Sequence, residues 1–350
     1  MDSKDNKKII VMMSTYNGEK YLPAQLDCIL NQTVVDAGVE LNILIRDDGS
    51  TDGTCDVLEA YKNSYPEVVS YYRGKNKGVA ESFFNLMKHA GEADYYAFSD
   101  QDDIWHPDKL LEAVKVIDRE AVIEDYEGNE VIVPFMYTCA VTLVDEDMNE
   151  IVGNINRKNQ VASFENALVE NISPGCTQVF NKRIFDIVNI QFPKNIYMHD
   201  WWIYLVSGCF GKVYFDDTSY IYYVQHEDNA VGMKSDRIKE FWMRVKNQRE
   251  KKDRLFRHAE ELVRIYRPII DVELYPDDQV DDFKELYREL FDVVPRSRHS
   301  CRCLKIAKKF VEVKNEPISS RRRFFNKANI HRQRKEDDWI FKVLLDLGRY

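Results

Sequence analysis

The sequence predicts an α/β fold in which a mostly parallel sheet is flanked by helices. Short apolar segments alternate with segments of helical periodicity through the first hundred residues. Strands and helices that alternate at this spacing form βαβ units, whose crossovers cover both faces of a parallel sheet. Polar clusters follow three of the predicted strands. Since the carboxyl ends of parallel strands meet at one edge, these clusters are expected to share one cleft.

The predicted strands of the first half are short apolar runs that stop at polar residues. They are Lys8–Ser14, Leu41–Ile45, Val68–Tyr72 and Asp94–Ser99. Between them, apolar spacing and capping residues predict three helices. These are Tyr21–Asn31, a helix capped by Thr51 or Asp52, and Gly78–His89.

The second half carries further strand-like segments and no clear linker before them. These segments are Met136–Leu143, Thr177–Phe180, Lys212–Phe215 and Tyr220–Val224. We therefore expect residues 1–232 to form one domain. Residues 233–350 are expected to form a helical, basic C-terminal extension that begins with a charged helix at Ser235–Tyr266.

Composition indicates a cytoplasmic protein. The seven cysteines are scattered and include no CxxC pair, so neither a disulfide framework nor a zinc site is expected. Free thiols are typical of a reducing compartment. The first residues lack the layout of a signal peptide, and no apolar run is long enough to span a membrane.

Charge is unevenly distributed along the chain. Residues 296–350 contain 16 Lys or Arg and 6 Asp or Glu, a local charge of +10, whereas the net charge is −10. An acidic body argues against a general nucleic-acid binder. The helical segments around Cys303–Val313 and Arg321–Leu347 are basic and amphipathic, which favours contact with the anionic inner face of the cell membrane. A solvated extension or a contact between copies of the chain is the alternative; the oligomeric state stays open.

The strongest chemical signal is the acidic run at Ser99–Trp105. Asp100, Asp102 and Asp103 follow an apolar strand, and three neighbouring carboxylates repel one another unless a cation neutralises them. A divalent cation bound to a diphosphate would do so with one or two protein carboxylates. A solvated turn or a helix N-cap is the structural alternative. Neither GxGxxG nor GxxxxGK[ST] is present, so dinucleotide and P-loop sites lose their main support.

Four strand-end segments occur in a specific order, namely Ser14–Gly18, Arg46–Thr54, Asn76–Gly78 and Ser99–Asp103. With them the sequence resembles the inverting glycosyltransferases of family 2, over about residues 8–232. The resemblance implies the GT-A (nucleotide-diphospho-sugar transferase) fold. It also implies a metal-dependent hexosyltransferase that uses a nucleotide-sugar donor, dTDP- or UDP-linked.

The resemblance also implies roles for individual residues. Thr15 and Tyr16 would contact the nucleoside, and Asp47 or Asp48 would read the imide N–H of the base. Asp100 would hold the ribose or a metal-bound water. The remaining donor-site residues are Asn17, Asn76, Gly78 and Gln101, and the metal ligands, for Mg²⁺ or Mn²⁺, are Asp102 and His226. A plain turn is the alternative at Asp47–Ser50.

One stretch departs from the family pattern. Glu81–Asn85 lacks the arginine that often follows the Asn-x-Gly segment. This form, together with Ser173–Gln178, His199–Trp202 and Tyr223–Gly232, is similar to a subgroup that transfers rhamnose to bacterial polysaccharides. The departure puts in doubt an arginine contact to the donor from this helix.

Asp200 is the candidate general base. A sugar hydroxyl is a poor nucleophile, so inverting transfer needs a base near the acceptor oxygen. Flanking tryptophans would raise the pKa of this carboxyl, and Trp201, Trp202 and Trp105 are assigned to the acceptor site. A helix N-cap at Asp200 with the tryptophans in the core is the alternative.

These inferences predict a transferase that moves a hexose. The preferred sugar is L-rhamnose, donated by dTDP-L-rhamnose. The acceptor would be a glycan or lipid-linked glycan in cell-surface polysaccharide biosynthesis. A UDP-hexose or UDP-N-acetylhexosamine transferase is the alternative within the class. A non-catalytic scaffold of a polysaccharide assembly complex and a nucleotidyltransferase are the alternatives outside it.

Overall fold

The computed structural model describes residues 7–124, 127–152, 160–194, 196–225, 248–270 and 297–333. Three predictions lie outside these ranges. They concern His226, the part of Tyr223–Gly232 after Gln225, and the domain boundary after residue 232. Within them no helix is both long enough and apolar enough to cross a membrane.

The first half alternates strands and helices as predicted. The strands are β1 (Lys8–Thr15), β2 (Glu40–Asp47), β3 (Val69–Arg73), β4 (Tyr95–Ser99) and the short β5 (Ile104–Trp105). The helices are α1 (Leu22–Leu30), α2 (Thr54–Ser64), α3 (Val79–His89) and α4 (Lys109–Glu120). The N-cap of α2 is Gly53 rather than the predicted Thr51 or Asp52. Asp52 instead accepts hydrogen bonds from the Thr54 amide and hydroxyl.

In its described part, the second half adds four strands to the same sheet and contributes a separate hairpin. The strands are β6 (Val122–Glu124), β7 (Glu130–Ile132), β8 (Phe135–Val144), β9 (Glu150–Val152), β10 (Val179–Asn181) and β11 (Lys212–Val224). The helices are α5 (Phe164–Ala167), α6 (Lys182–Asn189) and α7 (His199–Phe210). A 3₁₀ turn at Gly175–Thr177 occupies the start of the strand predicted at Thr177–Phe180. The two strands predicted at Lys212–Phe215 and Tyr220–Val224 are one strand, β11.

Within the described ranges, the main sheet has the order β3-β2-β1-β4-β10-β8-β11-β5, with β9 paired to β8. The β1–β2, β1–β4, β2–β3 and β8–β11 pairs are parallel, as predicted. The short strands β10 and β5 run antiparallel to their neighbours. The strands β6 and β7 form a separate hairpin.

Both faces of the sheet are covered, which explains why its central strands are apolar throughout. On β1, Ile9, Val11 and Met13 pack into one buried cluster, while Ile10 and Met12 pack into the other. Side chains alternate between the two faces of a strand, so an uninterrupted apolar run indicates burial on both.

The described C-terminal helices pack against this body. They are α8 (Gln248–Ile270), α9 (Arg298–Glu312) and α10 (Ile318–Lys327). On α9, Cys303, Ala307 and Phe310 are buried and belong to the same apolar cluster as α7. The strictly apolar face of this amphipathic helix is therefore buried inside the protein. Its basic side faces outward.

Candidate active site

The carboxyl ends of β1, β2 and β4 lie side by side. Thr15 is in register with Asp47, and Met13 with Ser99. The Asp48 amide donates to the Thr15 carbonyl at 2.8 Å, which continues the β1–β2 pairing past the strand ends. The polar loops that follow these strands therefore meet at one edge of the sheet, as the sequence predicted.

Gln101 joins the acidic loop to the end of β1. Its Oε1 accepts from Thr15 Oγ1 at 2.5 Å and from the Tyr16 amide at 2.9 Å, and its Nε2 donates to the Tyr16 carbonyl at 3.2 Å. Gly18 leaves room for this side chain, because a Cβ there would lie 2.3 Å from Gln101 Oε1. The amide of Gln101 thus fixes the loop, while Tyr16 is 46% exposed.

The loops after β1 and β2 are also tied together. Asn17 has a left-handed φ of 49°, its amide donates to Ser50 Oγ at 2.9 Å, and its Oδ1 accepts from the Thr51 amide at 2.8 Å. Asn17, assigned to the donor site from the sequence, therefore holds the two loops at a fixed separation.

Asp47 and Asp48 are both buried, and the chain itself supplies partners for their oxygens. Asp47 accepts from the amide and hydroxyl of Ser50, and lies 3.2 Å from Arg73 Nε. Asp48 accepts from the amides of Lys77 and Gly78 at 2.9 Å. These contacts leave little free acceptor capacity on Asp48. Asp47 is equally well supplied with partners, so the reading of a base by Asp47 or Asp48 stays a prediction.

Arg46, which the sequence did not single out for the site, is the centre of this network. Its Nη1 contacts Asp48 and donates to Ser82 Oγ at 2.8 Å, and its Nε donates to Asn85 Oδ1 at 3.1 Å. Both acceptors lie in the stretch of α3 that lacks the family's arginine. The guanidinium thus reaches this helix from β2.

The loop that carries Asn76 and Gly78 depends on the same arginine. Arg46 Nη2 donates to the Lys75 carbonyl at 2.9 Å, and a Cβ on Gly74 would lie 2.4 Å from this nitrogen. Gly78, with φ of 81°, then turns the chain into α3. Asn76 and Gly78 are exposed at the edge of the cleft.

The acidic loop after β4 contains carboxyls whose charged forms are destabilised by burial. Burial, followed by the charges of Asp102 and Asp200, raises the pKa of Asp100 to about 7. Burial and the neighbouring Asp100 raise the pKa of Asp103 well above its usual range. One oxygen of Asp103, Oδ2, is buried without a hydrogen-bond partner among the described residues.

Cys176 joins this cluster from the other half of the chain. Ligand atoms of Asp100, Asp103 and Cys176 all lie within 4.8 Å of one another. The predicted metal ligands are Asp102 and His226, whereas Cys176 belongs to the segment Ser173–Gln178, for which no metal role is predicted. No spacing signal could have found this proximity, because 73 residues separate Asp103 from Cys176.

Asp200 lies in the first turn of α7 and is 7% exposed. Its Oδ2 accepts from the Gly175 amide at 3.1 Å and its Oδ1 from the Trp201 amide at 2.6 Å. Burial raises the pKa of Asp200 to about 6, although these hydrogen bonds oppose the rise. The N-cap position of α7 belongs to Met198, so Asp200 is not the N-cap.

Two of the three tryptophans assigned to the acceptor are in the core. Trp202 is 0% exposed, and Trp105 is 2% exposed with Lys109 Nζ 3.3 Å from its ring centroid. A wholly buried ring offers no face to a sugar, so the acceptor assignment of Trp105 and Trp202 is corrected. Trp201 is half-buried; its Nε1 donates to the Ala167 carbonyl at 2.6 Å and its ring stacks on His258.

His199, which precedes Asp200 in the chain, packs between α3 and the turn at Gly175. Its ring stacks on Phe83 at 3.9 Å, and a Cβ on Gly175 would lie 2.9 Å from its Nε2. Burial lowers its pKa to about 3, so the ring is neutral at physiological pH. The uncharged His199 ring therefore fills the space between α3 and the Gly175 turn.

Comparison with known proteins agrees with this arrangement. The family model described as glycosyl transferase family 2 matches residues 10–129. The dTDP-rhamnosyl transferase RfbG of Shigella flexneri is 32% identical over 234 residues, which cover 63% of this chain and 73% of that protein. The chain belongs to glycosyltransferase family 2. The predicted GT-A fold is thereby confirmed, with the mostly parallel sheet described above.

Another glycosyltransferase matches over a shorter part of the chain. The putative glycosyltransferase EpsE of Bacillus subtilis is 31% identical over 113 residues, which cover 32% of this chain and 39% of that protein. Among solved structures, Staphylococcus aureus TarS 1–349 in complex with UDP-GlcNAc gives a TM-score of 0.47 at 16% identity. That superposition covers 97% of this chain and 91% of that chain.

Replacing Arg46 by Met should destabilise this family 2 enzyme by about 3–5 kcal/mol, because Asp48 would remain buried without its partner. Urea unfolding measures the loss. Arg119→Met is the control: Arg119 pairs with Glu120 on the surface, where the two side chains are 63% and 43% exposed, so its removal should cost about 1 kcal/mol or less. Equal losses in the two variants would contradict a special role for Arg46.

Proposed function

We propose that this glycosyltransferase transfers L-rhamnose from dTDP-L-rhamnose, with inversion, onto a glycan or lipid-linked glycan of the bacterial cell surface. The observation that carries the transfer chemistry is Asp200: a nearly buried carboxyl with a pKa near 6, electrostatically coupled to Asp100 of the acidic loop. The choice of rhamnose rests on the similarity to RfbG, a dTDP-rhamnosyl transferase.

Asp200 would act as the general base. A carboxyl of this pKa is largely ionised at neutral pH yet basic enough to accept a proton from the acceptor hydroxyl. The amides of Gly175 and Trp201 hold the carboxylate in one orientation. The deprotonated acceptor oxygen would attack the anomeric carbon from the face opposite the nucleoside diphosphate, which inverts that centre.

The acidic loop fits a divalent cation. Asp103 Oδ2 is buried without a described partner, and Asp100 is raised in pKa by the charges around it, so an added positive charge would stabilise both. Oxygen ligands suit Mg²⁺ or Mn²⁺. Asp102, with Asp100 beside it, would hold the ion. When bound, the ion would stabilise the charge that develops on the leaving diphosphate.

The donor would lie along the strand ends. The exposed Tyr16 ring would stack on the thymine, and the loop containing Asn76 and Gly78 would border the same ligand. The polar Asn17 and Gln101 side chains hold these loops in position. The contribution of this chain is therefore a preformed cleft.

A donor panel tests the proposed sugar. Purified enzyme should release dTDP from dTDP-L-rhamnose faster than it releases UDP from UDP-glucose, UDP-galactose or UDP-N-acetylglucosamine. UDP-N-acetylglucosamine is included because TarS of Staphylococcus aureus, a poly(ribitol-phosphate) β-N-acetylglucosaminyltransferase, is 31% identical over 111 residues. Preference for a UDP-sugar would overturn the rhamnose assignment, and release from no donor would favour the scaffold alternative.

Asp200→Asn should lower kcat about 10²–10⁴-fold while donor binding is retained, because the amide cannot accept the proton. For the wild type, kcat/KM should rise with pH through a limb near pH 6, since the base acts only when ionised. The limb should vanish in the variant's residual activity. Asp147→Asn, at an exposed turn, is the control and should retain wild-type rates. Near-normal turnover of Asp200→Asn would rule out this base.

Asp102→Ala should abolish the part of nucleotide binding that depends on Mn²⁺. Calorimetric titration of dTDP, with Mn²⁺ and with chelator, measures this part in the wild type and the variant. Asp147→Asn again serves as the control. Binding of dTDP that is equally tight with and without Mn²⁺ in the wild type would contradict a metal-dependent donor site.

A further inference from the structure

A groove of about 430 Å³ runs along α9 and is closed on one side by α10. Four of its lining residues are basic: Arg298, Arg302, Lys305 and Lys309. They follow one another at spacings of four, three and four residues, which places them on one face of the helix. None of these four residues has a role in the proposed chemistry.

The groove keeps a positive charge after internal ion pairs are counted. Arg302 Nη2 lies 3.0 Å from Glu165, and Lys309 Nζ lies 2.6 Å from Glu316. Arg298 and Lys305 are exposed and form no ion pair with any described residue. Two cations of the row are therefore available to an anion.

The floor of the groove is apolar. Ile306, Phe324 and Cys301 line it, and all three are half-buried between the cations. Free phosphate would use the cations and leave this floor uncovered. A ligand with an anionic head beside an apolar chain matches both features, because Lys and Arg side chains place their charges at the polar boundary while their stems cover apolar surface.

We propose that this groove binds the phosphate headgroup of an anionic phospholipid and so holds the protein against a negatively charged membrane surface. The contact uses the basic side of α9, since Cys303, Ala307 and Phe310 on its apolar side are buried in the body. This docking does not depend on the donor or on the proposed sugar transfer, so its test needs neither.

The test is co-sedimentation of the full chain with vesicles of phosphatidylglycerol mixed with phosphatidylcholine. Replacing both Arg298 and Lys305 by Gln should weaken partitioning roughly 25-fold, at about fivefold for each charge removed near an anionic surface. Lys62→Gln with Arg183→Gln is the matched control. It removes one Lys and one Arg that are equally exposed but lie on α2 and α6, and partitioning should change less than about twofold.

Thiol labelling locates the contact. Phosphatidylglycerol vesicles should slow the modification of Cys301, in the groove, but not that of Cys55, which is also half-buried but lies on α2. Ile306→Gln changes no charge, yet it should also weaken vesicle binding, because it makes the floor of the groove polar. The dependence of binding on salt should be unaltered in this variant. These results together would establish a lipid contact with both parts of the groove.

Several outcomes would overturn the proposal. Equal partitioning of the charge variant and the wild type would show that these cations do not meet the membrane. Equal binding to pure phosphatidylcholine would exclude an anionic headgroup. Loss of vesicle binding in millimolar inorganic phosphate at constant ionic strength would assign the groove to free phosphate rather than lipid. Unchanged labelling of Cys301 would place the contact elsewhere.

Discussion

The arrangement of the cleft depends on one buried ion pair, between Arg46 and Asp48 at the end of β2. Both side chains are almost fully buried, so each charge requires the other together with hydrogen bonds to its remaining polar atoms. The guanidinium reaches Ser82 and Asn85 of α3, and the carboxylate holds the amides of Lys77 and Gly78. Because the two groups cannot separate without leaving buried charge, β2, the loop before α3 and α3 itself move as one unit.

The acidic loop shows the opposite balance, because carboxyls are buried there close to one another. Burial raises the pKa of Asp100, Asp103 and Asp200, and the charges of Asp102 and Asp200 raise that of Asp100 further. Lys109 is buried nearby, yet its ammonium lies over the Trp105 ring and donates no hydrogen bond to a described group. A structural cluster would be expected to pair its charges. Groups left with strongly perturbed pKa values in a cleft are typical of functional sites.

Much of the fold was predictable because its signals are local. The apolar runs at Lys8–Ser14 and Asp94–Ser99 became β1 and β4 with one added or lost residue, and the polar residues after them met at one edge. The strand predicted at Thr177–Phe180 became β10, but its antiparallel direction and the two-residue β5 were missed, since their pairing partners are distant in sequence. Residue type alone also suggested sugar contacts for Trp202, but only the packing of α7 shows that this ring is buried.

The site's side-chain connections were less predictable, for the same physical reason. The sequence shows that α3 lacks the family's arginine, but it does not show that Arg46 reaches this helix from a neighbouring strand.

The sequence also identified Asp200 by its motif, whereas the position of that carboxyl is set by α7. Trp202 and every residue after it in this helix are buried. Its last turn meets α9, where a His299 ring nitrogen lies 2.9 Å from the Gly208 carbonyl oxygen. At 1.5 Å per residue, Gly208 is about 12 Å along the helix from Asp200. A helix packed along this length cannot tilt without opening cavities in the core. The C-terminal helices therefore help to hold the proposed base in place, both at the last turn of α7 and through His258, which stacks on Trp201 beside Asp200.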